Sequence, residues 1–134
     1  MATVLRISDA ASLGLHTMVL LASNTEKLFT TREISELMSA SKDHLSKVLQ
    51  RLENEGYLTA LRGPKGGYKM TKTKNDITLL DIYELFDGPL EDSNCLLRKP
   101  LCDGKNCILG GLLRPLNNQV RDYLATKKLS DLSG

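Results

Sequence analysis

The chain has no tryptophan, and among its 134 residues there are only four Tyr and two Phe. A core built from it must therefore be aliphatic. At 41% hydrophobic residues there is enough apolar material for one compact domain. No apolar run approaches the roughly 18 residues of a membrane span. The N-terminus lacks a basic region followed by an apolar block and a small-residue cleavage site, so a cytoplasmic protein without membrane contact is expected. With only two His, no Ser/His/Asp set and no phosphate loop of Walker spacing, an enzyme reading has no support. Cysteine is scarce as well, at three residues, and in the cytoplasm such thiols stay reduced.

Charge is nearly balanced, at a formal net +2, but unevenly spread. Residues 31–76 hold nine Lys and Arg against six Asp and Glu, whereas residues 77–134 hold seven against eight and residues 1–30 balance. The local excess is compatible with nucleic acid without requiring it. On charge alone, an ordinary solvated surface is the simpler reading.

What is present is organised around Ser41 to Thr71. Leu45, Val48, Leu49 and Leu52 recur at i, i+3, i+4 and i+7, which predicts a helix with one buried stripe. Ser41 is placed to cap its start and Gly56 to stop it. Tyr57–Leu61 and Tyr68–Thr71 then flank Arg62-Gly63-Pro64-Lys65-Gly66-Gly67, the pattern of a β-hairpin. Upstream, Thr30 and Glu33 have capping-box spacing and open a helix with Ile34, Leu37 and Met38 as apolar positions. Ser39-Ala40-Ser41 forms the tight turn between the two, giving a helix-turn-helix. In that motif the second helix enters the major groove of double-stranded DNA. Its exposed positions are Ser41, Lys42, Asp43, His44, Ser46, Lys47, Gln50 and Arg51. Ser41, Lys42, Ser46 and Lys47 are the candidate contacts to bases or phosphates. Arg62 and Lys65 on the hairpin would meet phosphate or a minor groove. Each residue alone could be a solvated surface side chain; together they point to DNA. His44 reads as a surface or DNA-facing residue rather than a metal ligand.

The expected fold is mainly α with a small β-hairpin wing: a winged helix-turn-helix plus a long C-terminal dimerisation helix. Residues 1–88 form the DNA-binding domain, residues 89–107 a cysteine-bearing loop, and residues 108–134 the dimerisation helix and tail. The first helix runs from Ser8 to Ala22, with Ser8 as cap and Asp9 in its first turn. Asp9, Ser12 and His16 share one face at i, i+3 and i+7, as a polar edge or as ligands. Thr78 and Asp81 open a further helix carrying Leu79, Ile82, Tyr83 and Phe86, ended by Gly88 and Pro89. The last helix should start near Cys107 or Ile108, with Pro115 kinking it or marking a new start. A long amphipathic helix after a finished core calls for a second subunit.

Cys95, Cys102 and Cys107 read C-x6-C-x4-C within 13 residues. Thiolates gathered in a polar loop suit a soft metal centre, either zinc or an iron–sulfur cluster. The absence of C-x2-C pairs weakens zinc. Redox thiols, or no special role, remain open. Three thiolates leave one ligand of the usual four to be supplied elsewhere.

The runs LRISDAASLGLHTMVLLA, TTREISELMSASKDHLSKVLQRLENEGYLTALRGPKGGYKM and ITLLDIYELFDG resemble the Rrf-two family of bacterial winged-helix regulators. The cysteine loop before a final helix is similar to that of its IscR- and NsrR-like members. This resemblance implies a homodimeric transcription regulator, expected to repress, whose operator binding is controlled by an iron–sulfur cluster sensing redox state, nitric oxide or iron–sulfur supply. It also implies that Cys95, Cys102 and Cys107 are the cluster thiolates, though gaps of five residues are commoner. Some members place a His three residues after the last Cys, where this chain has Gly110. Others take a His or carboxylate from the first helix of the other subunit. His16 is the first choice there and Asp9 the second, with Ser12 at the usual carboxylate position. A His ligand favours a two-iron cluster, and a carboxylate leaves a four-iron one possible. The alternatives are a cluster-free winged-helix regulator working through thiols or a small effector, and a protein-interaction adaptor that no longer binds DNA.

Overall fold

The computed structural model describes residues 6–71, 76–90, 108 and 111–133. Helix α1 spans Asp9–Ser23, α2 Thr31–Met38 and α3 Lys42–Asn54. Strands β1 (Leu58–Leu61) and β2 (Gly67–Met70) follow, then α4 (Leu79–Asp87), α5 (Leu113–Thr126) and the single turn α6 (Leu129–Leu132).

The helix boundaries follow from local chemistry. Ser8 caps α1 by accepting from the Ala11 N–H. Thr30 and Glu33 form a reciprocal capping box on α2, as do Thr78 and Asp81 on α4. Ser41 caps α3 by accepting from the His44 N–H. At the other end of α3, Gly56 sits at φ +82°. Its N–H donates to the Glu53 carbonyl and that of Tyr57 to the Leu52 carbonyl, the paired bonds of a Schellman ending.

β1 and β2 pair antiparallel with Leu58 opposite Met70 and Leu61 opposite Gly67. The ladder continues as expected to Tyr57, whose carbonyl accepts from Thr71. Phe29 adds a third, single-residue rung by exchanging two backbone bonds with Tyr68. That rung explains Gly67: a Cβ there would lie 2.8 Å from the Phe29 carbonyl oxygen, so only glycine permits the approach.

The core is aliphatic. Met18 and Leu21 of α1, Ile34 of α2, Leu45, Leu49 and Leu52 of α3 and Ile82 of α4 are fully buried or nearly so in one cluster. α1 runs through its centre and packs on α3 and α4. At Gly14 the approach is so close that a Cβ would come within 2.4 Å of the Phe86 ring.

The C-terminal segment departs from the expected layout in two ways. The last long helix begins at Leu113 rather than near Cys107 or Ile108, and Ile108 lies in a turn, 89% exposed. Pro115 falls in the first turn of α5, where its missing N–H has no intrahelical partner to lose, so it marks a start and not a kink. The core is also not finished without this segment: Leu124 and Leu129 belong to the same cluster, and Leu129 is fully buried. The Leu79 N–H donates to the Lys127 carbonyl and the Leu129 N–H to the Ile77 carbonyl, clasping the tail to the start of α4. Among the described residues, no helix is long and apolar enough to cross a membrane.

Candidate nucleic-acid interface

α3 buries Leu45, Val48, Leu49 and Leu52 against the core and turns Lys42, Asp43, His44, Ser46, Lys47, Gln50, Arg51 and Asn54 outward. The turn from α2 is held by Ser39 in the left-handed conformation, at φ 51°. The Ala40 N–H there donates to the Ser35 carbonyl. This geometry projects the N-terminal turn of α3 from the surface.

Of the expected DNA contacts, Ser41, Lys42, Ser46 and Lys47 lie together on this exposed helix, with Arg62 and Lys65 exposed at the hairpin tip. Ser41 is already committed as a cap, so its remaining capacity is the hydroxyl proton, which a phosphate oxygen can accept. The ion pairs among the described residues, Lys27–Glu33 and Arg32–Glu36, lie at α2. Among the described residues, no carboxylate pairs with Lys42, Lys47, Arg62 or Lys65. The hairpin carrying the last two closes tightly at Gly66, where a Cβ would fall 2.1 Å from the Leu61 carbonyl oxygen. At its base, burial raises the pKa of the Tyr68 phenol, with Glu53 adding to the rise and Arg62 opposing it. Tyr68 thus stays neutral at physiological pH.

Three features escaped the sequence reading. The Arg51 guanidinium donates to the Leu85 carbonyl in the last turn of α4 at 3.3 Å. With His44, Lys47 and Phe86 it borders a cleft of about 320 Å³. Gln50 donates from Nε2 to Asn54 Oδ1 at 3.2 Å. The end of α4 is tied to α1, where the backbone N–H and hydroxyl of Ser8 both donate to the Asp87 carboxylate. An i, i+4 Gln/Asn pair was visible in the sequence. The other two join distant elements and had no local signature.

Cys95, Cys102 and Cys107 lie outside the described residues. Of the proposed remaining ligands, Asp9 is exposed at the first position of α1. His16 is exposed two turns later, with Nδ1 2.7 Å from the Ser12 carbonyl oxygen. A carbonyl can only accept, so this contact calls for a proton on Nδ1, and in a neutral ring that tautomer leaves the lone pair on Nε2. Beside His16 is an apolar groove of about 450 Å³ lined by Leu15, Val19, Leu20, Leu79 and Leu132. Among the described residues no group of three His, Cys, Asp or Glu is placed to hold a metal by itself.

Known proteins are similar to this chain in sequence and fold. The Rrf2 family model, described as an iron-dependent transcriptional regulator, matches residues 7–134. The HTH-type transcriptional regulator NsrR of Bacillus licheniformis is 28% identical over 131 residues, covering 90% of this chain and 84% of that protein. IscR of Pectobacterium carotovorum is 29% identical over 100 residues, covering 75% of this chain and 61% of its own length. The solved structure of CymR, the global cysteine regulator of B. subtilis, superposes with a TM-score of 0.80 at 25% identity and covers 96% of each chain.

Proposed function

The chain belongs to the Rrf2 (Rrf-two) family of DNA-binding transcriptional regulators and not to a family of enzymes, and from that premise we propose that it is a homodimeric repressor whose operator binding is governed by an iron–sulfur cluster. Cys95, Cys102 and Cys107 would hold the cluster through their thiolates. His16 Nε2 is the fourth ligand, with Asp9 the second choice. The observation that carries this reading is the His16 ring: Nδ1 lies against the Ser12 carbonyl oxygen and the residue is exposed. Metal-bound histidines are typically oriented by just such a bond from the other ring nitrogen. Three thiolates and one imidazole form a donor set suited to a two-iron cluster, whereas Asp9 in place of His16 would leave a four-iron one possible. When bound, such a cluster supplies reversible one-electron chemistry and a target for oxygen or nitric oxide.

On the DNA side, Ser41, Lys42, Ser46 and Lys47 contact the major groove and its edges, and Arg62 and Lys65 the backbone or minor groove. A second copy is supported by the apolar side chains left exposed on the C-terminal segment: Leu112, Tyr123 and Leu132. Two recognition helices would then read half-sites one helical turn apart, roughly 34–36 Å.

Anaerobic purification followed by a visible spectrum with iron and acid-labile sulfide counts tests the cluster. Coloured protein with stoichiometric iron and sulfide is expected, with an altered spectrum in His16→Ala and loss of colour in Cys102→Ala. Protein that stays colourless after anaerobic reconstitution would leave the second reading, which the likeness to CymR supports. In that reading the regulator is cluster-free and its three thiols answer to sulfur or redox status. Lys47→Ala with Arg62→Ala tests the DNA surface. Weaker duplex binding with a shallower salt dependence is expected, and an unchanged slope would leave the adaptor reading.

A further inference from the structure

On a 3.6-residue period, Asp43, Lys47, Gln50 and Asn54 stand on the pole of α3 opposite Leu45, Val48, Leu49 and Leu52. When a recognition helix docks with its apolar stripe on the core, that pole faces the groove, the N-terminal residues lying nearest the base edges. Gln50 and Asn54 are both exposed there, one turn apart. With Ser46, Lys47 and Arg51 they line a shallow groove of about 390 Å³. Gln50 Nε2 donates to Asn54 Oδ1 at 3.2 Å.

Resting on the DNA-binding reading above, we propose that Gln50 is a base-reading residue selective for adenine, and that Asn54 is the positioning residue that holds its amide ready. The major-groove edge of adenine offers an acceptor at N7 beside a donor at N6, and a glutamine amide presents the matching donor and acceptor. Nε2 carries two protons. One goes to Asn54, which leaves the other for N7. Among the described residues Oε1 has no donor, so it is available to the N6 amino group. The intramolecular bond thus occupies neither half of the reading pair, and it fixes the terminal torsion before DNA arrives. Immobilising a polar side chain in advance lowers the entropy lost on binding. Lys47 and Arg51 flank the pair with positive charge, and Arg51 is anchored to the Leu85 carbonyl.

The test is selection from a pool of random-sequence duplexes by the 134-residue chain, both as isolated anaerobically and after chelation. Fluorescence anisotropy follows, on the enriched duplex and on its single A·T to G·C replacements. The unaltered protein should reject replacement of one A·T pair per half-site by roughly ten- to a hundredfold, the range of a bidentate amide–adenine pair. Gln50→Ala should abolish discrimination at that pair while leaving the salt slope unchanged, because no phosphate contact is lost. Asn54→Leu should weaken that discrimination several-fold, and Asn54→Asp, which keeps an acceptor, should restore it. Both sites are exposed, and thermal unfolding should confirm that the variants fold like the parent. A Gln50→Ala profile identical to the parent's, or a changed salt slope with unchanged preferences, would overturn the assignment. Full discrimination in Asn54→Leu would overturn the role of Asn54. If the unaltered chain enriches no sequence at all, the DNA-reading function itself fails and this inference with it.

Discussion

From Thr30 to Met70 nearly every element carries its own start and stop signal, whereas from Leu113 to Ser133 structure depends on distant partners. α2 has a capping box, α3 has Ser41 at one end and Gly56 at the other, and the hairpin has glycines at the two points where backbones meet. α5 begins at Leu112 and Leu113 with no capping side chain. α6 is a single turn, too short to persist alone. The Lys128 N–H donates locally to the Asp131 carboxylate, but what fixes the turn is Leu129, which fills the core and whose N–H reaches Ile77. The DNA-reading half is thus specified locally, and the C-terminal half by long-range packing. Local signals set where the elements of the reading surface begin and end, while the leucines beneath it share one core with Leu124 and Leu129.

The comparison breaks most readily at Leu129. Leu129→Ala should destabilise the chain by about 2–5 kcal/mol, as much as Leu49→Ala in α3, because both are fully buried in one cluster. Denaturant unfolding measures this. A loss below about 1 kcal/mol for Leu129→Ala alone would show that the tail is peripheral. Next in size is Gly66→Ala. The new methyl cannot coexist with the Leu61 carbonyl, so a loss of roughly 1–3 kcal/mol is expected from the forced shift. Duplex affinity should fall as Arg62 and Lys65 move, and unchanged affinity would remove the wing from the interface. Ser41→Ala should lower stability by about 1 kcal/mol through the lost cap. An additional loss of duplex binding beyond that of an equally destabilised core variant would separate its phosphate contact from its capping.

The smallest effect is a titration. The Thr30 backbone N–H holds the Glu33 carboxyl below its ordinary range; desolvation opposes it, and the Thr30 hydroxyl and Lys27 add to the lowering. With the folded value depressed, this contribution is fully present above the ordinary glutamate range near pH 4. It fades as pH falls through the lower folded value. Glu33→Gln should flatten that part of the stability–pH curve.

The same division explains what the sequence disclosed. The helix-turn-helix, the caps at Ser8, Thr30, Ser41 and Thr78, and the hairpin were legible because each rests on residues within a few positions of one another. The candidate contacts on α3 followed from its apolar stripe. The Phe29 rung, the burial of Leu129, the Arg51–Leu85 bond and the Ser8–Asp87 clasp were not legible, since they join residues tens of positions apart. Gly14 gave a weak hint: glycine inside an apolar helix commonly marks a close neighbour, here Phe86. Ring chemistry at His16 was also hidden, because the tautomer depends on a carbonyl one turn away.

The segment that carries the cysteines leaves from Leu90, whose N–H is held by Glu84 and whose carbonyl is held by Arg121 of α5. It returns at Leu113, which is buried in the same body. Both ends of the intervening 22 residues are therefore moored before any ligand binds. For a tether between fixed posts, length is cheap: each doubling adds only about 0.6 kcal/mol to closure. By that scaling, one residue more or less in the gaps of six and four between the cysteines would change the closure cost by well under about 1 kcal/mol.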